Sequence, residues 1–235
     1  MKGRYDVPQI RTDSVEFAAN GATATGYLAR PDDGAAHPGV IVIQEWWGMD
    51  DHIKDVADRF AREGFIALAP DLYHGEVATE PDEARKLVMN MNREQAMKDL
   101  LGAVKRLQSV PEVAPKKIGC IGFCMGGSLT LALAAATPDV AAAAPFYAGF
   151  QPPADELGKI QAEMFCAFGA DDGGIPMDNV KKFEATLEEK DRKATVKVYD
   201  GAPHSFFNDT KPSYRPDAAK DAWANSLSLF RRVLK

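Results

Sequence analysis

A chain of 235 residues, 46% hydrophobic and 26% charged, has the makeup of an ordinary soluble globular protein and is long enough to bury a large core. Its net charge of −6, with no lysine run or arginine-rich arm, argues against a nucleic-acid or anionic-membrane partner. The odd count of three cysteines argues against a disulfide framework and for a reducing compartment. The stretch up to Phe17 lacks the apolar core of a signal peptide, and the apolar region from Leu129 to Phe150 is broken by Pro138 and Asp139. The expectation is a cytoplasmic, single-domain protein over residues 1–235, a monomer or weak oligomer.

Along the chain, "DSVEFAANGATATGYLARP" alternates in polarity and holds Asn20-Gly21, the signal of a hairpin between antiparallel strands. Short apolar runs follow: "GVIVIQ" from Gly39, "FIALAP" from Phe65, "KIGCIG" from Lys117, "VAAAAPFYAG" from Val140, "EMFCAFG" from Glu163 and "ATVKVYDGA" from Ala194. Most lack alternation, as strands covered on both faces do. Between them lie stretches of helical period. In "DDHIKDVADRFAREG", Ile53, Val56, Ala57 and Phe60 form one apolar stripe and Gly64 ends it. Further helices are expected over "NREQAMKDLLGAVKRLQ", "MGGSLTLALAAAT", "DNVKKFEATLEEK" and the C-terminal "YRPDAAKDAWANSLSLFRRVLK". The pattern defines an α/β fold: a mostly parallel central sheet with an antiparallel N-terminal hairpin and helices on both faces.

The strand "KIGCIG" breaks into a helix at Gly122-Phe123-Cys124-Met125-Gly126. Glycines two residues either side of a nucleophile let strand and helix backbones pass close to a strained turn. The helix start behind Cys124 supplies amide dipoles that favour thiolate. In hydrolases built on such sheets the chain order is nucleophile, acid, histidine. Downstream of Cys124 the one histidine is His204, on the loop after "TVKVYDGA". The acid belongs after the preceding strand, where "GADDGGIP" offers Asp172, with Asp171 as the alternative. Its task is to orient the imidazole and stabilise its charged form.

These segments resemble the dienelactone hydrolase (carboxymethylenebutenolidase) family of the α/β-hydrolase fold. The resemblance rests on "QEWWG" at Gln44–Gly48, "APDLY" at Ala69–Tyr73, "GFCMGG" at Gly122–Gly127, "GADDGGIP" and "GAPHSF". It implies a Cys124, Asp172 and His204 triad, and gives Glu45 the place of a glutamate that interacts with the resting thiol and takes part in its activation. It implies an oxyanion hole from the backbone N–H groups of Met125 and Trp46. Trp47, Phe123, Tyr147 and Phe206 are candidate pocket residues, and Tyr73 follows a strand, where it either reaches the mouth or has a capping or packing role. The arginines that hold a substrate carboxylate in this family fall on Pro81 and Asn208 here, leaving Arg85 or Arg93 either as substitutes or as simple exposed helix charges. No metal-ligand spacing and no phosphate or dinucleotide loop occurs, so no metal or cofactor is expected.

The chemistry this implies is transfer of an acyl group to sulfur, followed by hydrolysis of the thioester. Because a thiolate is itself a good leaving group, the substrates expected are enol-lactones such as dienelactone, or small activated esters, rather than amides. Acyl transfer to another acceptor, or a redox-sensing or binding protein on the same fold, are the competing readings.

Overall fold

The computed structural model describes residues 8–235. Strands β1 (Ile10–Ala19) and β2 (Ala22–Pro31) form the expected hairpin. Its turn places both Asn20 (φ 47°) and Gly21 (φ 97°) in the left-handed region that such a two-residue loop needs. Then come β3 (Gly39–Ile43), α1 (Asp51–Arg62), β4 (Ile66–Pro70), α2 (Pro81–Asn90), α3 (Arg93–Ser109), β5 (Ile118–Phe123) and α4 (Met125–Ala136). The chain continues through β6 (Val140–Phe146), α5 (Ala154–Leu157), β7 (Glu163–Gly169), α6 (Met177–Glu189), β8 (Ala194–Tyr199) and α7 (Pro216–Val233).

The eight strands make one sheet in the order β1-β2-β4-β3-β5-β6-β7-β8. Only the β1–β2 and β2–β4 pairs are antiparallel. This is the mostly parallel α/β sheet that the strand and helix pattern predicts, and the α/β-hydrolase fold that the resemblance implies. The central strands β3, β4 and β5 are buried along their whole length, which explains why their sequences show no polar alternation. Two helices were not anticipated. The segment of α2 keeps only Ala84 buried, so its apolar period is weak, and α5 is a single turn.

Because β3 to β8 run parallel, their C-terminal ends meet at one edge. The residues that follow them, Glu45, Tyr73, Cys124, Tyr147, Asp172 and His204, are thereby gathered where ligands bind in such sheets.

One contact inside the scaffold runs against local propensity. Gly102 sits within α3, where glycine costs about 1 kcal/mol relative to alanine. A Cβ there would lie 2.5 Å from the carbonyl oxygen of Ala18 in β1, so the glycine is what lets α3 cross the hairpin. Overpacking of this kind costs about 1–3 kcal/mol and exceeds the propensity gain. Gly102→Ala is therefore expected to lower the melting temperature by several degrees. Thermal unfolding followed by circular dichroism checks this, and a rise would mean that the hairpin yields freely.

Candidate active site

Cys124 lies between the end of β5 and the first residue of α4, with φ 58° and ψ −115°. Few non-glycine residues adopt a positive φ, and it turns the side chain out of the sheet edge. Its N–H donates to the carbonyl oxygen of Phe146 at 3.1 Å. A Cβ on Gly126 would stand 2.5 Å from the carbonyl oxygens of both Ile43 and Gln44. Only glycine lets α4 start this close to β3. Gly122 is confined in the same way by the backbone of Gly126 and by Thr130.

His204 and Asp172 meet as the chain order implied. Nδ1 of His204 is 2.6 Å from Oδ2 of Asp172. The other Asp172 oxygen accepts the backbone N–H groups of Gly174 (2.8 Å) and Ile175 (3.2 Å), so this carboxylate, on a side chain 1% exposed, is fully occupied. Asp171, by contrast, is exposed on the turn. Burial by itself pulls the His204 imidazole down. The hydrogen bonds and charges of Asp172 and Cys124 overcome that pull and hold its pKa up at about 10.

Two cavities open at this point, and Cys124, His204 and Trp46 line both. The larger, about 500 Å³, is walled mainly by apolar groups that include Met97, Leu129 and Phe150. Arg93 stands on its wall, with its guanidinium carbon 6.0 Å from the centre of the Phe150 ring. The smaller, about 330 Å³, is lined by Trp47, Ser205, Lys211 and Ser213. The Lys211 ammonium lies 3.8 Å from the centre of the Trp47 ring.

The N–H of Met125, at the first position of α4, has no carbonyl one turn back and faces the start of the helix. Tyr73, buried and after β4, places its hydroxyl 3.3 Å from the Trp46 carbonyl oxygen and 3.4 Å from Met125 Sδ. One phenol thus bears on both residues assigned to the oxyanion hole. Burial, and then the charge of Cys124, push its ionisation up, so it stays a donor. The sequence signal was the "PDLY" turn itself. Asp71 accepts the N–H groups of Tyr73 (3.0 Å) and Gly75 (2.6 Å) and so fixes where Tyr73 points.

Four of the expected pocket residues are placed elsewhere. Phe123 is completely buried, stacked on Phe207 with ring centres 5.0 Å apart, because the last strand residue points into the helix-covered face. Phe206 is likewise core, packed against Tyr147 and Tyr199. Arg85 lies on α2 with its side chain 65% exposed, 3.3 Å from Asp82, and does not line the cavities. Tyr147 lies beneath the site, where its hydroxyl donates to Glu45 Oε1 at 3.1 Å.

Glu45 itself is buried, with Ser205 Oγ donating to Oε1 at 2.9 Å and Asn208 Nδ2 to Oε2 at 2.7 Å. Its oxygens are thus taken by Tyr147, Ser205 and Asn208, rather than by the thiol.

The mostly parallel sheet, with Cys124 at a strand-to-helix turn beside the His204–Asp172 pair, is an α/β-hydrolase fold, and the following relatives make the chain a carboxylic ester hydrolase acting on small molecules. Residues 24–234 match the model of the dienelactone hydrolase family, and the chain belongs to that family. A Synechocystis sp. protein named "putative carboxymethylenebutenolidase" is 35% identical, over 96% of this chain and 98% of its own. A Bradyrhizobium sp. protein named "probable 2-oxo-3-(5-oxofuran-2-ylidene)propanoate lactonase" is 31% identical, over 94% of each. The crystal structure of a "putative dienelactone hydrolase" from Klebsiella pneumoniae superposes with a TM-score of 0.87 at 30% identity, covering 95% of this chain and 99% of that one. No helix among the described residues is long and apolar enough to cross a membrane.

The raised His204 value has a measurable signature. The stabilisation it represents is fully present below about pH 6.5, the unfolded value, and is lost as pH rises through about 10. In an NMR titration the His204 ring is expected to stay protonated far above pH 7. Asp172→Asn and Cys124→Ala should each lower its midpoint. An unshifted midpoint in both variants would mean that neither group supports the imidazolium.

Proposed function

We propose that the protein hydrolyses enol-lactones and small activated esters through a Cys124–His204–Asp172 triad and a thioester intermediate. The observation that carries this reading is the elbow. It holds Cys124 at φ 58° beside an imidazole whose other nitrogen is tied to a buried carboxylate. In the first half-reaction the Cys124 sulfur attacks the acyl carbon, a C–S bond forms, and the carbonyl oxygen takes up negative charge facing the N–H groups of Met125 and Trp46. The bond to the departing oxygen then breaks, and His204 gives that oxygen its proton.

Acylation removes the sulfur charge that helps keep His204 protonated, so in the thioester the imidazole turns into the base. It takes a proton from water as hydroxide adds to the thioester. The C–S bond breaks, the acid leaves, and thiolate and imidazolium are restored.

The substrate class follows from leaving-group ability and from the cavity. A tetrahedral adduct on sulfur expels the thiolate backwards unless the oxygen leaving group is stabilised, as enolates and phenolates are. The apolar wall of the larger cavity suits a hydrocarbon or aromatic body. The lactonase named among the relatives supports a cyclic enol ester. Neither expected family arginine is present. Pro81 opens α2, and Asn208 is buried against Glu45. Arg93 and Lys211 are the cations that line the two cavities, and they are the groups we assign to a substrate carboxylate.

With purified protein, cis- or trans-dienelactone and p-nitrophenyl acetate are both expected to be cleaved, while Cys124→Ala loses at least about a thousandfold in kcat/KM on each. A variant as active as wild type would remove the mechanism. Arg93→Met and Lys211→Met are expected to raise KM for dienelactone by about tenfold or more in at least one case, the worth of a charge-assisted contact, and to leave p-nitrophenyl acetate nearly unchanged. Equal effects on both substrates would move the carboxylate site elsewhere.

A further inference from the structure

The helix behind the elbow has an outward face that water alone does not explain. Its sequence, "MGGSLTLALAAA", carries no charged residue. Met125, Ser128, Leu129 and Ala132 are half-buried and recur every three to four residues, so they share one face. On a helix at a protein surface that face is ordinarily polar. Here its one hydroxyl, on Ser128, accepts the N–H of Phe150 at 3.0 Å, and the rest is methionine, leucine and alanine. All four residues line the larger cavity of about 500 Å³. At about 1.5 Å per residue, the stretch from Met125 to Ala132 carries this apolar floor roughly 10 Å along the helix.

The facing wall has the same character. Met91 at the end of α2 and Met97 on α3 are unbranched and adapt to the shape of a guest. Phe150 lines the cavity and is exposed, so the apolar surface continues to the rim. Arg93, the one cation on the wall, has its guanidinium carbon 6.0 Å from the centre of that ring, which leaves the floor along α4 uncharged.

We propose that this chamber is the acyl subsite, that it takes an unbranched aliphatic acyl chain the length of hexanoate or octanoate, and that Ala132 sets the limit. The proposal deepens the reading above and rests on it for the position of the reacting carbon. That carbon, once attacked by sulfur, holds three other groups. One oxygen takes the charge and faces the helix start. The departing oxygen has to face His204, which protonates it. The smaller chamber is lined by Ser205, Lys211 and Ser213 from the segment that begins with His204, polar groups that suit an oxygen leaving with negative charge. The acyl chain is left to run along α4. In the reaction a C–S bond forms as the C–O bond breaks and the alcohol or phenol leaves with the proton of His204. Water then cleaves the thioester, and the free aliphatic acid and the thiol are restored.

The test is kcat/KM of the full-length protein for p-nitrophenyl acetate, butyrate, hexanoate, octanoate and decanoate, each below its aggregation limit. For wild type the value is expected to rise about threefold per added methylene, close to the worth of one buried CH₂. The rise should stop at hexanoate or octanoate and give way to a fall at decanoate. Ala132→Phe fills the far end of the floor and should lower the octanoate-to-acetate ratio by about tenfold or more. Ala132→Val is a smaller intrusion that should lower the same ratio by about threefold, and it keeps the test open if the larger ring prevents folding. Lys211→Met, in the other chamber, is expected to keep the wild-type ratio.

A wild-type series that falls from acetate onward would overturn the proposal. So would a ratio that neither Ala132 variant moves, or one that Lys211→Met abolishes, since the chain would then lie in the smaller chamber. Cys124→Ala separates this proposal from the reading it rests on. If that variant cleaves the esters with the wild-type chain preference, the nucleophile is lost and the subsite stands. If it is inactive while wild type shows no chain preference, the nucleophile stands and the subsite is lost.

Discussion

The site depends first on a backbone angle. Holding Cys124 at φ 58° costs of order 1–3 kcal/mol for a residue with a Cβ, and the neighbours offset that cost by leaving it no alternative. Its N–H is taken by Phe146, its carbonyl oxygen accepts the N–H of Ser128, and α4 is pressed onto β3 through Gly126. Relaxing the angle would mean parting α4 from the centre of the sheet, where β3, β5 and β6 are buried throughout most of their length. The strain is thus maintained by the apolar core, and the half-buried Cys124 lines both cavities.

The second tier is polar and joins loops that the sheet alone would leave independent. Glu45 follows β3, Tyr147 follows β6, and Ser205 and Asn208 follow β8, yet all four meet in one hydrogen-bonded group. Ser205 also has a positive φ of 57°, next to His204, and its bond to Glu45 helps hold it there. The imidazole is positioned by Asp172 from one side and by this buried group from beneath. Gln44 adds a further tie from the end of β3, since its Oε1 accepts the N–H of Leu72 after β4.

How much of this can be read from the sequence varies with the physics that places each residue. The strands of the sheet, the hairpin at Asn20-Gly21 and the elbow at Cys124 follow local rules of patterning and backbone sterics, and the structure has them at the expected segments. His204 and Asp172 follow from topology, because consecutive parallel strands deliver their loops to one edge. The pocket follows no local rule. Phe123 and Phe206 are aromatic and lie one residue from Cys124 and two from His204, yet both point into the core, and only the packing of α1 and of neighbouring rings decides that. Arg85 and Arg93 are equally plausible as helix charges. What separates them is that α3 starts against the cavity, while α2 turns the side chain of Arg85 to solvent. Asn208 was legible as a missing arginine but not as a partner of Glu45, since nothing in "HSFFN" encodes a contact across 163 residues.

The two cavities that share Cys124 bear on a difficulty peculiar to cyclic esters. When a lactone acylates an enzyme, the oxygen released stays tethered to the acyl group, and tethered nucleophiles re-attack with effective concentrations far above any attainable in solution. Ring closure would then outrun hydrolysis. On the lactonase reading proposed above, a sulfur set between an apolar chamber of about 500 Å³ and a second of about 330 Å³ lets the opened molecule lie extended, with its freed end on one side and its thioester carbon on the other. In an enol-lactone the freed end also becomes a ketone and ceases to be a nucleophile. On that reading the shape of the cleft and the chemistry of an enol-lactone act in the same sense: both make ring opening a one-way step.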